Sequence, residues 1–173
     1  MVIRLLTIAI TLLCYCNISF AEDKALLIGI GDTLSISVYN ERDLSVQVKV
    51  EPSGYISVPL LGQVLAVNKT TKVLGHELES AFLDGYLVNP RVSVVVTSFP
   101  PFYIKGAVKS PGSYEFVPGL TIDQAIAIAG GLKDRASKDH WYILRGIKRT
   151  KLKAKKNSKV VSGDIITIEE SIF

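Results

Sequence analysis

The sequence predicts an α+β protein made of two small units, each a few strands around one helix. Three observations predict it. Stretches of alternating apolar and polar residues recur along the chain, one stretch switches to helical spacing and another opens with a capping-box pattern, and the stiff segment Ser98-Phe99-Pro100-Pro101 separates one set from the other. The expected divisions are residues 1–21, 22–98 and 99–173.

Residues 1–21 read as a segment that is removed. Met1 to Arg4 carries one positive charge, Leu5 to Leu13 is unbroken Leu, Ile, Ala and Thr, and Ser19-Phe20-Ala21 ends in the small residues a signal peptidase reads. The expectation is a cleavable secretory signal, cut between Ala21 and Glu22. A lipoprotein signal at Cys14 or Cys16 would want a small residue before the Cys, where Leu13 and Tyr15 stand. A retained anchor is opposed by Asn17, Ser19 and Glu22-Asp23-Lys24, which cut the apolar run short. Cleavage removes both Cys and Arg4, leaving 19 basic against 16 acidic side chains. A cysteine-free body has no disulfide and no thiol chemistry, so its core alone must stabilise it. At about 150 residues it can bury roughly 70% of its unfolded surface.

In the first unit, Leu34 to Val38 and Val46 to Val50 alternate as half-buried strands. Pro52-Ser53-Gly54 makes a turn into a third extended piece, Tyr55 to Leu60, which Pro59 marks as an edge or an end. From Thr71 the spacing becomes helical. Leu74, Leu78, Ala81 and Phe82 share one face, with His76, Glu79 and Ser80 pointing away from it. The helix fades at Gly85 and stops before Asn89-Pro90, after which Arg91 to Val96 is a strong β run.

In the second unit, Phe102 to Val108 reads as a strand, Ser110-Pro111-Gly112 as a tight turn with Gly where type II geometry needs it, and Tyr114 to Val117 as the returning strand. Thr121-Ile122-Asp123-Gln124 has the form of a capping box, so a helix is expected over Ile122 to Ala129, ended by Gly130-Gly131. Trp141 to Leu144 and Val160 to Ile168 supply the remaining strands, with a Lys-rich connection between them. Gly31-Asp32 and Gly163-Asp164 both precede strands. A Gly-Asp turn accounts for this echo without a repeat.

No catalytic signature emerges. Gly29-Ile30-Gly31 begins like a dinucleotide fingerprint, but Leu34 stands at the third Gly and a strand follows. His76-Glu77 begins a zinc-protease motif, yet Ser80 occupies the second His position; His76 reads as a surface helix residue and His140 as part of a solvated loop. A Ser, His and acid cluster assembled from distant segments remains the form an exported hydrolase would take. No metal and no cofactor are expected.

Lys148, Arg149, Lys151, Lys153, Lys155, Lys156 and Lys159 place seven positive charges in twelve residues. One reading is a solvated hairpin tip that resists edge-to-edge pairing. The other is contact with anionic lipid head groups or an acidic polymer, at about 1 kcal/mol per nearby Lys. Aromatics are not interleaved and the net charge is mild, so nucleic acid is not an expected partner. Phe99, Phe102, Tyr103, Tyr114 and Phe116 read mostly as core filling.

Taken in order, the motifs resemble one family. Ile28 to Val38 resembles the opening of the bacterial outer-membrane polysaccharide export proteins, Gly54 to Val64 is similar to their central motif, and Tyr86 to Val94 to its close. Ile104 to Tyr114, Gly119 to Gly131 and Gly163 to Ile168 resemble the soluble-ligand-binding β-grasp module that follows. Two turn residues depart from the pattern, with Ser53 where Asp is usual and Asn68 where Gly is common. The resemblance implies structural roles for Gly29, Gly31, Asp32, Gly54, Pro59, Gly62, Pro90, Gly106, Pro111, Gly112, Gly130, Gly131, Gly163 and Asp164.

The resemblance also implies a function without bond chemistry. Larger relatives carry a lipidated Cys, further β-grasp modules and a C-terminal amphipathic helix lining an outer-membrane pore; this chain reads as a short form without that helix. The expectation is therefore a periplasmic subunit of a capsule or exopolysaccharide export machine, associated with the outer membrane. It would form a homo-oligomeric ring between an inner-membrane polysaccharide co-polymerase or chain-length regulator and a separate outer-membrane pore protein, with polysaccharide in transit. The alternative is a monomeric periplasmic module binding a glycan or small ligand.

Overall fold

The structure is a computed structural model and describes residues 26–146 and 148–171. The export signal and its cleavage point between Ala21 and Glu22 lie outside the described residues. The fold is α+β, with two hydrophobic clusters, one in each half of the chain.

The first cluster grows on Thr33–Val38 (β1), whose Leu34, Ile36 and Val38 alternate into the core. β1 is the centre of an antiparallel sheet between Glu41–Lys49 (β2) and Val92–Ser98 (β5). β2 starts at Glu41, not Val46, because the ladder continues past a bulge at which Val38 pairs with Glu41. The Ser45 hydroxyl holds that corner, accepting from the Val38 amide (3.0 Å) and donating to the Glu41 carbonyl (3.1 Å).

Tyr55–Val58 (β3) and Gly62–Leu65 (β4) pair as a separate hairpin. β3 ends just before Pro59. β4 goes beyond the sequence expectation, because the connection turns on Leu60 at φ +66°, a left-handed residue that its side-chain type does not announce.

Thr71–Leu83 (α1) is capped by Thr70, whose Oγ1 accepts the Val73 amide at 3.2 Å. Leu74, Leu78 and Phe82 are wholly buried against the sheet, each contributing about 1.5–3 kcal/mol. Gly75 is buried too, so the helix can lie close to the Val92 carbonyl. Glu79 does not point away as expected. It turns toward β5 and accepts the Val92 amide at 2.9 Å, while its other oxygen meets His76 Nδ1 at 3.1 Å. The Val92 amide, then His76, hold its carboxyl below the usual value.

The second cluster is enclosed by a five-stranded mixed sheet in the order β7-β6-β10-β8-β9. Its strands are Phe102–Gly106 (β6), Gly112–Tyr114 (β7), Ala136–Arg145 (β8), Thr150–Ala154 (β9) and Ile165–Glu170 (β10). β6 and β10 run parallel, and the other neighbours are antiparallel. The helix Ile122–Ile128 (α2) places Ile122, Ala125 and Ile126 in this core beside Phe102, Ile104, Trp141, Ile143, Ile166 and Ile168. Its capping box forms: the Gln124 amide donates to Thr121 Oγ1 (3.4 Å) and Gln124 Oε1 accepts the Thr121 amide (2.9 Å).

Several expected boundaries shift. β6 ends at Gly106, not Val108, because φ there is +92° and any side chain would collide with the Ile168 carbonyl. Gly112 is not left-handed, so the type II geometry does not form; it opens β7 opposite Ile104. The returning strand is accordingly Gly112–Tyr114 instead of Tyr114 to Val117, and it is fastened by the Tyr114 hydroxyl donating to the Ser110 carbonyl at 2.6 Å. The Lys-rich connection contains strand β9. Val160 and Val161 precede β10 rather than belong to it, and the buried Val160 bonds its amide to the Leu120 carbonyl. His140 lies on β8 rather than in a loop.

Candidate functional site

Asp32 and Asp164 are the buried acidic side chains of the described residues, and each follows a left-handed glycine, Gly31 at φ +86° and Gly163 at +76°. Each carboxylate reaches back three residues to an amide, Gly29 in one case and Val161 in the other, both at 2.8 Å. The turn therefore folds on itself before the strand begins. Arg145 adds a two-point contact to Asp164 at 3.0 and 2.7 Å and donates to the Lys159 carbonyl at 2.9 Å. Among the described residues, Asp32 has no such cation, and its Oδ1 is buried without a hydrogen-bond partner. Burial pushes its carboxyl above the ordinary value, opposed by the Gly29 amide and the Ser162 hydroxyl.

Both turns converge on the proline segment between the halves. A β-carbon added at Gly31 would lie 2.8 Å from Pro100, and the Gly163 amide donates to the Pro101 carbonyl at 3.2 Å. The Tyr103 amide then bonds the Asp164 carbonyl at 2.9 Å. Sequence neighbours on each side showed the two turns; only the fold shows that they meet at one joint.

The other sequence-singled residues shape separate turns. Gly54 (φ +86°) precedes β3, Pro59 and Gly62 (φ +73°) flank the β3–β4 connection, and Pro90 lies just ahead of β5. Pro111 precedes β7, and Gly130 and Gly131 (φ +80° and +90°) follow α2. Gly29 keeps an ordinary φ and supplies the amide that Asp32 accepts.

The seven basic residues do not act as one group. Arg149 sits left-handed at φ +50° beside Lys148 at the β8–β9 tip. Lys151 lies over the Tyr142 ring at 3.7 Å, with Glu169 at 3.9 Å. Lys159 reaches the Gly119 carbonyl at 3.5 Å. Lys153, Lys155 and Lys156 line an open cavity of about 610 Å³, where Lys138, which the sequence reading did not single out, joins them from β8. At the far end of the first unit, Tyr39, Asn40, Glu41, Tyr86, Asn89 and Arg91 border a second open cavity of about 640 Å³. Among the described residues, no group of three His, Cys, Asp or Glu is placed to hold a metal, and no helix is long and apolar enough to cross a membrane.

Residues 21–97 match the family model described as polysaccharide biosynthesis/export protein, and residues 101–159 match the SLBB domain. The chain is thus similar to the polysaccharide export proteins over its first half and to the SLBB domain over its second. The boundary between the two matches falls at the proline joint. The exopolysaccharide production protein ExoF of Rhizobium meliloti (strain 1021) is 36% identical over 86 residues, which is 49% of this chain. The chain spans one fifth (20%) of that relative's length. The Gly-Asp turns lie where the two cores meet, and both of their carboxylates are buried.

Proposed function

We propose that this protein is an exported, periplasmic subunit of a polysaccharide export machine, forming part of a conduit to the outer membrane and making or breaking no bond. The observation that carries this reading is the succession of the two family matches across most of the chain, in the order of an export unit followed by a ligand-binding module. The structure is compatible with a homo-oligomeric ring. β2 and β5 are the edges of one sheet, and β7 and β9 of the other, so neighbouring copies have backbone edges available for contact. In the same reading an inner-membrane chain-length regulator supplies the polymer and a separate pore protein receives it.

The test is removal of the gene from its host, with extracellular and cell-retained polysaccharide measured separately. Loss of extracellular polymer with retention inside supports the reading, and undiminished export overturns it. Light scattering on residues 22–173 over a concentration series reads the assembly: a discrete multi-subunit species fits a ring, whereas a strict monomer at every concentration favours a monomeric glycan-binding module.

A further inference from the structure

We infer that the cavity lined by Lys138, Lys153, Lys155 and Lys156 is a binding site for an anionic segment of polysaccharide, such as a run of uronate sugars. The inference rests on the export reading for the source of its ligand, and on the following geometry for its chemistry.

Edge protection explains only part of the positive charge. β9 bonds to β8 alone, so it is an edge strand, and Lys151 and Lys153 on it are enough to discourage another strand from pairing. Lys155 and Lys156 lie beyond the strand end, and Lys138 arrives from the start of β8. Folding therefore gathers cations from separate segments around one concavity. Asp139 is the one acid in the lining.

These lysines also differ from the ion-paired cations of the molecule. Lys69 pairs with Glu77, Arg145 with Asp164, and Lys151 with Glu169. Among the described residues, Lys138, Lys153, Lys155 and Lys156 have no ion pair within salt-bridge distance. Four lysines against the single acid Asp139 leave the lining with a net positive charge, which an anionic ligand would offset.

The shape selects among anions. A volume of about 610 Å³ is within the usual range for small-molecule pockets and has room for a short run of sugar rings. The donors are flexible point charges on exposed stems, with no arginine fork in the lining, which suits carboxylates spaced along a polymer better than one tightly held phosphate. A lipid surface is disfavoured because the site is concave and its large apolar member, Trp141, is only 2% exposed. Trp141 is instead fixed as floor, its indole donating to the Ser137 carbonyl at 2.6 Å beside the buried Ala154.

The experiment is isothermal titration of residues 22–173 with polygalacturonate, with neutral dextran and with phosphatidylglycerol vesicles, in low and high salt. Trp141, the only tryptophan of the sequence, gives a parallel fluorescence readout from within the site. The expected result is binding of polygalacturonate but not dextran, weakened by salt, with the triple substitution Lys153→Gln, Lys155→Gln, Lys156→Gln lowering affinity on the order of tenfold. The control Lys148→Gln, Arg149→Gln removes charge at the hairpin tip and should leave affinity within about twofold. All five positions are exposed, and circular dichroism confirms that each variant is folded. Equal binding of dextran, an unchanged triple variant, an equal loss in the control, or lysine-dependent binding of vesicles alone overturns the site. Both variants are also returned to the deletion host. If deletion abolishes export but the triple variant binds polygalacturonate and exports like the parent, the site falls and the export reading stands. If deletion leaves export intact while lysine-dependent polygalacturonate binding persists, the export reading falls and the acidic-glycan site survives it.

Discussion

The two Gly-Asp turns share a backbone and differ in one partner. Both use a left-handed glycine and a carboxylate that accepts an amide three residues back, yet Asp164 is held by Arg145 and Asp32 keeps an unpartnered buried oxygen. The turn itself therefore forms without a cation beside the carboxylate. Arg145 does a further job, tying β8 to the entry of β10 and to the Lys159 carbonyl. In the first unit no cation among the described residues neutralises the carboxylate, so that turn carries a desolvation cost which the second unit offsets.

Removing the guanidinium should have the largest effect. Arg145→Ala leaves Asp164, 1% exposed, without its cation and is expected to cost about 3 kcal/mol in urea denaturation, near the lower end for a broken buried pair because the arginine is 35% exposed. Adding Asp164→Asn to that variant should recover part of the loss. A loss under about 1 kcal/mol would show that the amide alone holds the turn, as in the first unit.

Alanine at the two glycines separates the turns next. At both positions it meets an unfavourable left-handed φ, worth about 1–2 kcal/mol. At Gly163 nothing lies within 4 Å of the new carbon, whereas at Gly31 Pro100 is 2.8 Å away. Gly31→Ala should therefore cost about 1–2 kcal/mol more than Gly163→Ala. Equal melting shifts would mean that the proline yields and the joint is soft.

The smallest effect is a pH dependence at Asp32. A carboxyl raised by burial holds its proton more tightly in the folded chain than in the unfolded one, so its contribution is most favourable below the unfolded value and is lost as pH rises through the folded one. Asp32→Asn removes that titration while keeping an acceptor for the Gly29 amide. The stability of the variant relative to the parent should increase from pH 4 upward and then level off. A difference that stays flat between pH 4 and 7 would remove burial as the cause.

The parts legible in the sequence are those governed by near neighbours. The Gly-Asp turns, the capping box at Thr121 and Gln124 and the alternation of β1 are all set within a few residues. The Arg145 contact spans nineteen residues and exists because Ile165 pairs with Leu144 across β10 and β8, a register that residue spacing does not display. β9 is hard to see because its alternation offers only Leu152 and Ala154 as apolar residues within a run of lysines that reads first as a charged connection, and the same topology brings Lys138 to the cavity. β4 was hidden because its hairpin turns on Leu60, whose left-handed backbone is imposed by the fold around it.

The proline joint has a mechanical consequence. Pro100 and Pro101 have fixed φ angles, and one turn packs against the first while the other bonds to the second. Force applied to one half would therefore be passed to the other through these contacts as well as along the chain, and the stiffness of that link is what the Gly31→Ala variant reads.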